Sequence, residues 1–266
     1  MIKFLLKKNF FDGWDNMFQI ILFNLLLIAL CIGGYFAISA VITNIYFAVA
    51  LFFVFIAIIF IPIFSIAEIS QQIVCFKSVE FKDIFSNFSK VCKVAIPFGL
   101  LVAFLIIAAL ITFPFYAQNE SIFGFALLIL LFWIYVFLVL SLQWFVPLYV
   151  NMHGSFFKTL KKCFIFFIDN SGFSIFFFFY SVFLYIISFV IVFLVPGVSG
   201  VILAQCNAVK LRMYKYDWLE ENKDEISKSK GKNFLGRVKI PWSELLAEDK
   251  EMLGHRTVMD LIFPWR

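Results

Sequence analysis

Apolar blocks long enough to cross a bilayer, set one after another, constrain this chain more than any other feature. They fall near 18–42, 45–67, 94–117, 122–150 and 173–194, with a shorter one near 197–212. A helix needs about 20 apolar residues to cover a hydrocarbon core, and the first five blocks supply them. Of 266 residues, 63% are apolar and 15% charged, against about 45–50% and about 25% in soluble domains. A soluble core could not bury that much apolar surface. The expected fold is therefore all-α: a polytopic membrane helix bundle of about six transmembrane helices, with interfacial amphipathic helices and a cytoplasmic C-terminal tail.

The sixth helix is the open question. Its apolar stretch from Val198 to Val209 contains Gln205 and Asn207 and follows Pro196-Gly197, so hydropathy alone also admits a re-entrant or surface helix. Charge decides, because Lys and Arg accumulate in cytoplasmic loops. Lys3, Lys7 and Lys8 precede the first block, and Lys77, Lys82, Lys90 and Lys93 lie between the second and third. Lys158, Lys161 and Lys162 lie between the fourth and fifth, and Lys210, Arg212 and Lys215 follow the last. The alternate connections at 43–44, 118–121 and 196–200 carry no basic residue. Six spans put every basic residue on one side, with both termini cytoplasmic. The first block is too long for a signal-peptide core, and Asp12 and Asp15 interrupt its approach, so it is expected to remain a membrane helix.

Two basic loops carry helical patterns. Ser78 is placed to cap a helix with Phe81, Ile84, Phe85, Phe88 and Cys92 on one face, and Ser155 another with Phe156, Leu160, Phe164 and Phe167. They read either as basic helices in the headgroup plane, able to meet anionic lipid headgroups, or as the ends of long spanning helices. The transmembrane domain is drawn as 1–216 and the charged tail as 217–266, where nine basic and ten acidic residues balance. Asp217 to Ile226 extends the last helix, with Asp224 and Lys228 in supportive i,i+4 order, and 227–232 reads as a flexible basic linker. A short amphipathic helix follows from Trp242 to Leu253, stopped by Gly254. Its Trp242, Leu245, Leu246 and Leu253, with His255, Arg256, Phe263 and Trp265, are the candidate partner-docking residues, because 258–266 is too apolar for a solvated end.

Catalytic chemistry finds little to work with. An intramembrane charge is costly and marks function where it occurs, yet the interiors of all six blocks lack Asp, Glu, Lys, Arg and His. The polar residues within them include Asn24, Gln143 and Gln205, whose usual task is interhelical hydrogen bonding. Cys31, Cys75, Cys92, Cys163 and Cys206 show no ligand spacing, and neither His153 nor His255 has metal-site or nucleophile partners in sequence. There is no phosphate-binding loop and no glycine fingerprint, so no cofactor or metal is expected. A tail of balanced charge gives nucleic acid no purchase.

Several segments resemble the YesL type of bacterial integral membrane protein. Trp14-Asp15-Asn16-Met17 leading into Ile21-Leu22-Phe23-Asn24-Leu25-Leu26 is similar to that family's first span. Phe81-Lys82-Asp83-Ile84-Phe85-Ser86-Asn87-Phe88 is similar to its aromatic loop before a span. Phe145-Val146-Pro147-Leu148, with Ser155 and Thr159-Leu160-Lys161, resembles its Phe-Pro-Leu segment and following helix. The resemblance covers about residues 10–215; the longer first hairpin and the tail depart from it. It implies a place in the bacterial inner (plasma) membrane and an accessory role beside subunits of carbohydrate ABC-type transporters, and it supplies no catalytic residue.

The expected function is that of a non-enzymatic membrane accessory protein docking partners through its cytoplasmic face and tail. The alternative is a stand-alone carrier or permease for a small neutral solute, with Asn24, Gln143 and Gln205 lining its path. An enzyme ranks last, since only Glu68, Asp83 and His153 at the cytoplasmic face offer groups for proton transfer.

Overall fold

Lipid offers no hydrogen-bond partners, so a chain this apolar must satisfy its backbone internally, which a helix does within one segment. A computed structural model describes residues 1–77, 79, 82–118, 121–223, 240–254 and 256, with the backbone alone of Ile84. Its regular elements are all helical among the described residues. They are α1 (Ile2–Asp15), α2 (Met17–Ala40), α3 (Ile45–Val74), α4 (Asp83–Ala117), α5 (Ile122–Leu142), α6 (Phe145–Met152), α7 (Phe156–Asp169), α8 (Ser171–Val190) and α9 (Gly197–Glu221), then the short α10 (Trp242–Leu245) and α11 (Ala247–Leu253). Helices α2, α3, α4, α8 and the α5–α6 stretch are long and apolar enough to cross a membrane. This is an integral membrane protein, and the large apolar side chains exposed on these helices, such as Phe123, Ile122 and Phe179, form the surface that lipid covers.

Local chemistry sets the breaks. Asn16 separates α1 from α2, its side-chain amide donating to the Asp12 carbonyl at 2.9 Å in competition with the helix ladder. Pro147 has no N–H for the Gln143 carbonyl and its ring collides with that group in a continuous helix. The block expected at 122–150 accordingly breaks at Gln143–Trp144 into α5 and α6. Asn170 ends α7, donating to the Phe166 carbonyl at 3.1 Å.

The two amphipathic loop segments part ways. The first is no separate helix: Asp83 to Ala117 is one 35-residue helix, α4, so the spanning-helix reading holds there, while Ser78 and Phe81 lie outside the described residues. The second is the distinct helix α7, with Ser155 at its N-cap position but making no side-chain cap bond. Its most buried line is Thr159, Cys163 and Phe166, flanked by the half-buried Phe156, Leu160, Phe164 and Phe167.

Among the described residues, five helical stretches qualify as spans on length and apolarity; α9 is long enough at 25 residues but not apolar enough. The reason is its position. Helix α9 is the core of the bundle, buried from Gly197 through Val209 except for the partly accessible Val198 and Gln205, and packed on α1, α2, α3, α6 and α8. A helix enclosed by protein can carry Gln205, Asn207 and small residues that a lipid-facing helix could not. It returns the chain to the end of the bundle where α1 lies, which also carries the basic loops and α10–α11. This is the basic end of the bundle.

Candidate functional site

Among the described residues, two polar clusters and an apolar cleft bearing two amides stand out. The first closes the start of α9. Asn24, 1% exposed on α2, donates through Nδ2 to the carbonyls of Leu194 and Pro196, both at 2.9 Å, and accepts at Oδ1 from the Ser199 N–H at 3.0 Å. Ser188 Oγ accepts from the Gly197 N–H at 2.9 Å and donates to the Leu184 carbonyl at 2.7 Å. Gly197 has φ +59°, and a Cβ there would run into the Asn24 amide. Asn24 is thus consumed in fastening an irregular turn that lipid could not satisfy.

The second is a cleft of about 470 Å³ among α3, α4, α5, α6, α8 and α9. Its walls are almost wholly apolar, contributed by residues such as Phe60, Val102, Ala109, Leu138 and Ile202. Gln143 and Gln205 line it together, while Asn24 stands apart at the turn before α9. Gln143 Nε2 donates to the carbonyls of Leu140 at 2.9 Å and Ser174 at 3.2 Å. The Gln205 amide has no hydrogen-bond partner among the described residues. A sugar would bury several hydroxyls against two amides and a greasy wall, at a cost of about 1–3 kcal/mol for each unpaired group. An apolar chain matches the cleft far better.

The third lies at the basic end and centres on α9. Lys8 Nζ meets Asp12 Oδ2 at 2.8 Å, with the lysine side chain fully buried, and Asn207 Nδ2 donates to the same oxygen at 2.9 Å. Burial pulls the Lys8 ammonium below its usual pKa and pushes the Asp12 carboxyl up, each opposed by the charge of the other. Phe76 sits just past the end of α3 at φ +57°, a conformation costing a bulky residue roughly 1–2 kcal/mol. Its ring receives the Lys8 ammonium 4.0 Å from its centroid and that of Lys210 at 5.3 Å. Lys210 also donates to the Val74 carbonyl at 3.0 Å and pairs with Asp249 Oδ1 of α11 at 2.9 Å. Tyr214 donates to the other Asp249 oxygen at 3.4 Å.

Asp249 carries the tail onto the bundle. Leu246 and Leu253 are buried, Trp242 and Leu245 half-buried, and Arg256 pairs with Asp15 at 2.6 Å. Five of the candidate docking residues, Trp242, Leu245, Leu246, Leu253 and Arg256, therefore lie in or beside the chain's own latch; His255, Phe263 and Trp265 lie outside the described residues, as do 224–232 with the pair Asp224 and Lys228. Glu68 and His153 meet at 3.5 Å, whereas Asp83 opens α4. The described residues hold no cluster of three or more His, Cys, Asp or Glu able to bind a metal.

Sequence reasoning missed Phe76, Asp12, Lys8, Asn207 and Trp144. Trp144 is fully buried, donates from Nε1 to Ser174 Oγ at 3.0 Å and stacks on Phe173. Lys8 and Asp12 stand in i,i+4 order, a signal that could have flagged them; nothing in the sequence marks Phe76. No family model, no curated protein and no solved structure matches this chain.

Proposed function

We propose that this chain is a non-enzymatic accessory component of a bacterial inner-membrane transport system, docking partners at a cytoplasmic face built from the basic end of the bundle and its tail. The observation that carries the reading is the latch: Lys210 pairs with Asp249 at 2.9 Å while Leu246 and Leu253 bury themselves. A tail held in place by an ion pair and two leucines offers a composed surface, which a loose tail would not. The basic loops support a cytoplasmic location for that end, by the usual excess of Lys and Arg there. The likeness to YesL-type proteins points to ABC-type transporter subunits as the partners. The apolar cleft supports this accessory reading over a carrier for a neutral, hydroxylated solute.

The test is affinity purification from native membranes in mild detergent, comparing the full chain, a truncation after Lys223 and Lys210→Met, with co-purifying proteins identified by mass spectrometry. Transporter subunits recovered with the full chain, and lost or depleted with both variants at equal membrane insertion, are expected. The same partners recovered from the truncation, or none from the full chain, would overturn the reading.

A further inference from the structure

We propose that the cleft lined by Gln143 and Gln205 is a binding site for one acyl chain of a membrane phospholipid, with the lipid's ester carbonyls at the amide end. Its wall on α4 runs from Phe98 to Ala109, twelve residues spanning about 16 Å at the helical rise. The floor on α9 is the stripe Val198, Ile202 and Gln205, residues four and three apart that share a face. The cleft therefore runs along the bundle.

Chemistry selects among the occupants a bilayer can offer: the cleft, of about 470 Å³, is walled by side chains such as Phe60, Val102 and Leu138 and carries two amides at one end. Apolar lining of this extent is what a hydrocarbon chain requires.

Polarity sets the direction. Gln143 follows the basic end of α5 and is tied to Ser174, near the basic end of α8. The lining running from there along α5 to Tyr135 and along α4 to Ala109 is apolar apart from Tyr135, whose hydroxyl donates to the Leu105 carbonyl at 3.2 Å. A lipid has the same order: ester groups near the headgroup, then hydrocarbon toward the midplane. The Gln205 amide, without a partner of its own, has two N–H donors to offer an ester carbonyl. Helix α7 packs on α5 and holds Lys158 and Lys161 exposed at that same end, where they complement an anionic headgroup.

The experiment is native mass spectrometry of the full chain after exhaustive detergent exchange, with bound lipid identified by extraction. Wild type and Leu110→Trp, a lipid-facing control outside the cleft, are expected to retain one phospholipid per chain under activation that strips surface lipid. Ala109→Trp fills the cleft and should abolish retention. Gln205→Leu keeps the volume and should lower occupancy about fivefold, the effect of one lost hydrogen bond. Should Ala109→Trp fail to fold, Gln205→Leu decides. No retained lipid on wild type, or retention unchanged in the cleft variants that do fold, would overturn the proposal.

Discussion

Asn24 does three jobs with one side chain: it satisfies two carbonyls of the turn before α9 and one of the orphan N–H groups at the start of that helix. Asn24→Leu leaves all three without their partner in a water-poor interior, where each such group costs about 1–3 kcal/mol. A fall of several degrees in the melting temperature of the detergent-purified protein is expected, and Asn24→Asp should not rescue it, because a carboxylate oxygen would then face the Leu194 and Pro196 carbonyls in place of the donating amide. Equal melting of Asn24→Leu and wild type would show that the turn does not depend on this amide. Lys8 and Asp12 carry the opposite lesson. Breaking a buried pair by removing one partner costs about 3–5 kcal/mol, while removing both charges is often close to neutral. Lys8→Met alone and Asp12→Asn alone should each destabilise strongly in chemical unfolding, and the double variant should recover most of the loss. Additive single effects would mean that Asn207 and the Phe76 ring, not the pair, hold these groups. At this scale the sequence was only half legible. Asn24, Gln143 and Gln205 stand out as polar residues in apolar blocks, but which of them faces a cleft and which a turn depends on the rotation of α2, α5 and α9 against each other. Phe76 is an ordinary phenylalanine until the end of α3 puts two lysines over it.

Helices α3 and α4 form the most extensive pair in the bundle, and their approach is set by Gly99, where an added Cβ would lie 2.7 Å from the Ala57 Cα and 2.8 Å from the Ile56 carbonyl oxygen. Backbone cannot yield as a flexible side chain can, so Gly99→Val must force the helices apart and strip contacts from Phe60, Phe64 and Phe98, whose rings pack edge to face. Overpacking of this kind costs about 1–3 kcal/mol. Gly33→Ala, with nothing within 4 Å of its added carbon, should leave the melting temperature unchanged, and a Gly99→Val protein as stable as Gly33→Ala would refute the close-approach argument. The spanning elements were legible because lipid demands length and apolarity that few sequences meet by accident: 18–42 became α2, 45–67 lies within α3, and 173–194 largely became α8. What escaped was continuity. The run Asp83 to Lys93 looks amphipathic by itself, yet no breaker separates it from Val94, so the helix runs on. The 122–150 block looks continuous, yet Pro147 removes the bond that continuity needs.

At the level of the whole molecule, the same end of the bundle gathers α1, the end of α3, the end of α9 and the tail, and one ring of contacts joins them: Asp12 to Lys8, Lys8 and Lys210 to Phe76, Lys210 to Asp249. Apolarity alone could not reveal this, because it ranks α9 below the five spans, although α9 is the helix the others surround. The ring makes a specific demand on the tail. If Lys210–Asp249 fastens α11, then Asp249→Ala removes the carboxylate that receives both Lys210 and Tyr214 and leaves Leu246, Leu253, the half-buried Trp242 and the Arg256–Asp15 pair to hold the segment. Lys210 keeps the Val74 carbonyl and the Phe76 ring, so its own burial remains compensated and the loss is confined to the latch. Backbone amide exchange at 242–253 should then accelerate about tenfold, corresponding to ~1.4 kcal/mol, while α2, α3 and α4 exchange as in wild type. Acceleration spread through the spans would mean that the ion pair stabilises the bundle as a whole, and unchanged exchange at 242–253 would mean that the apolar contacts and the Arg256–Asp15 pair hold the tail without it.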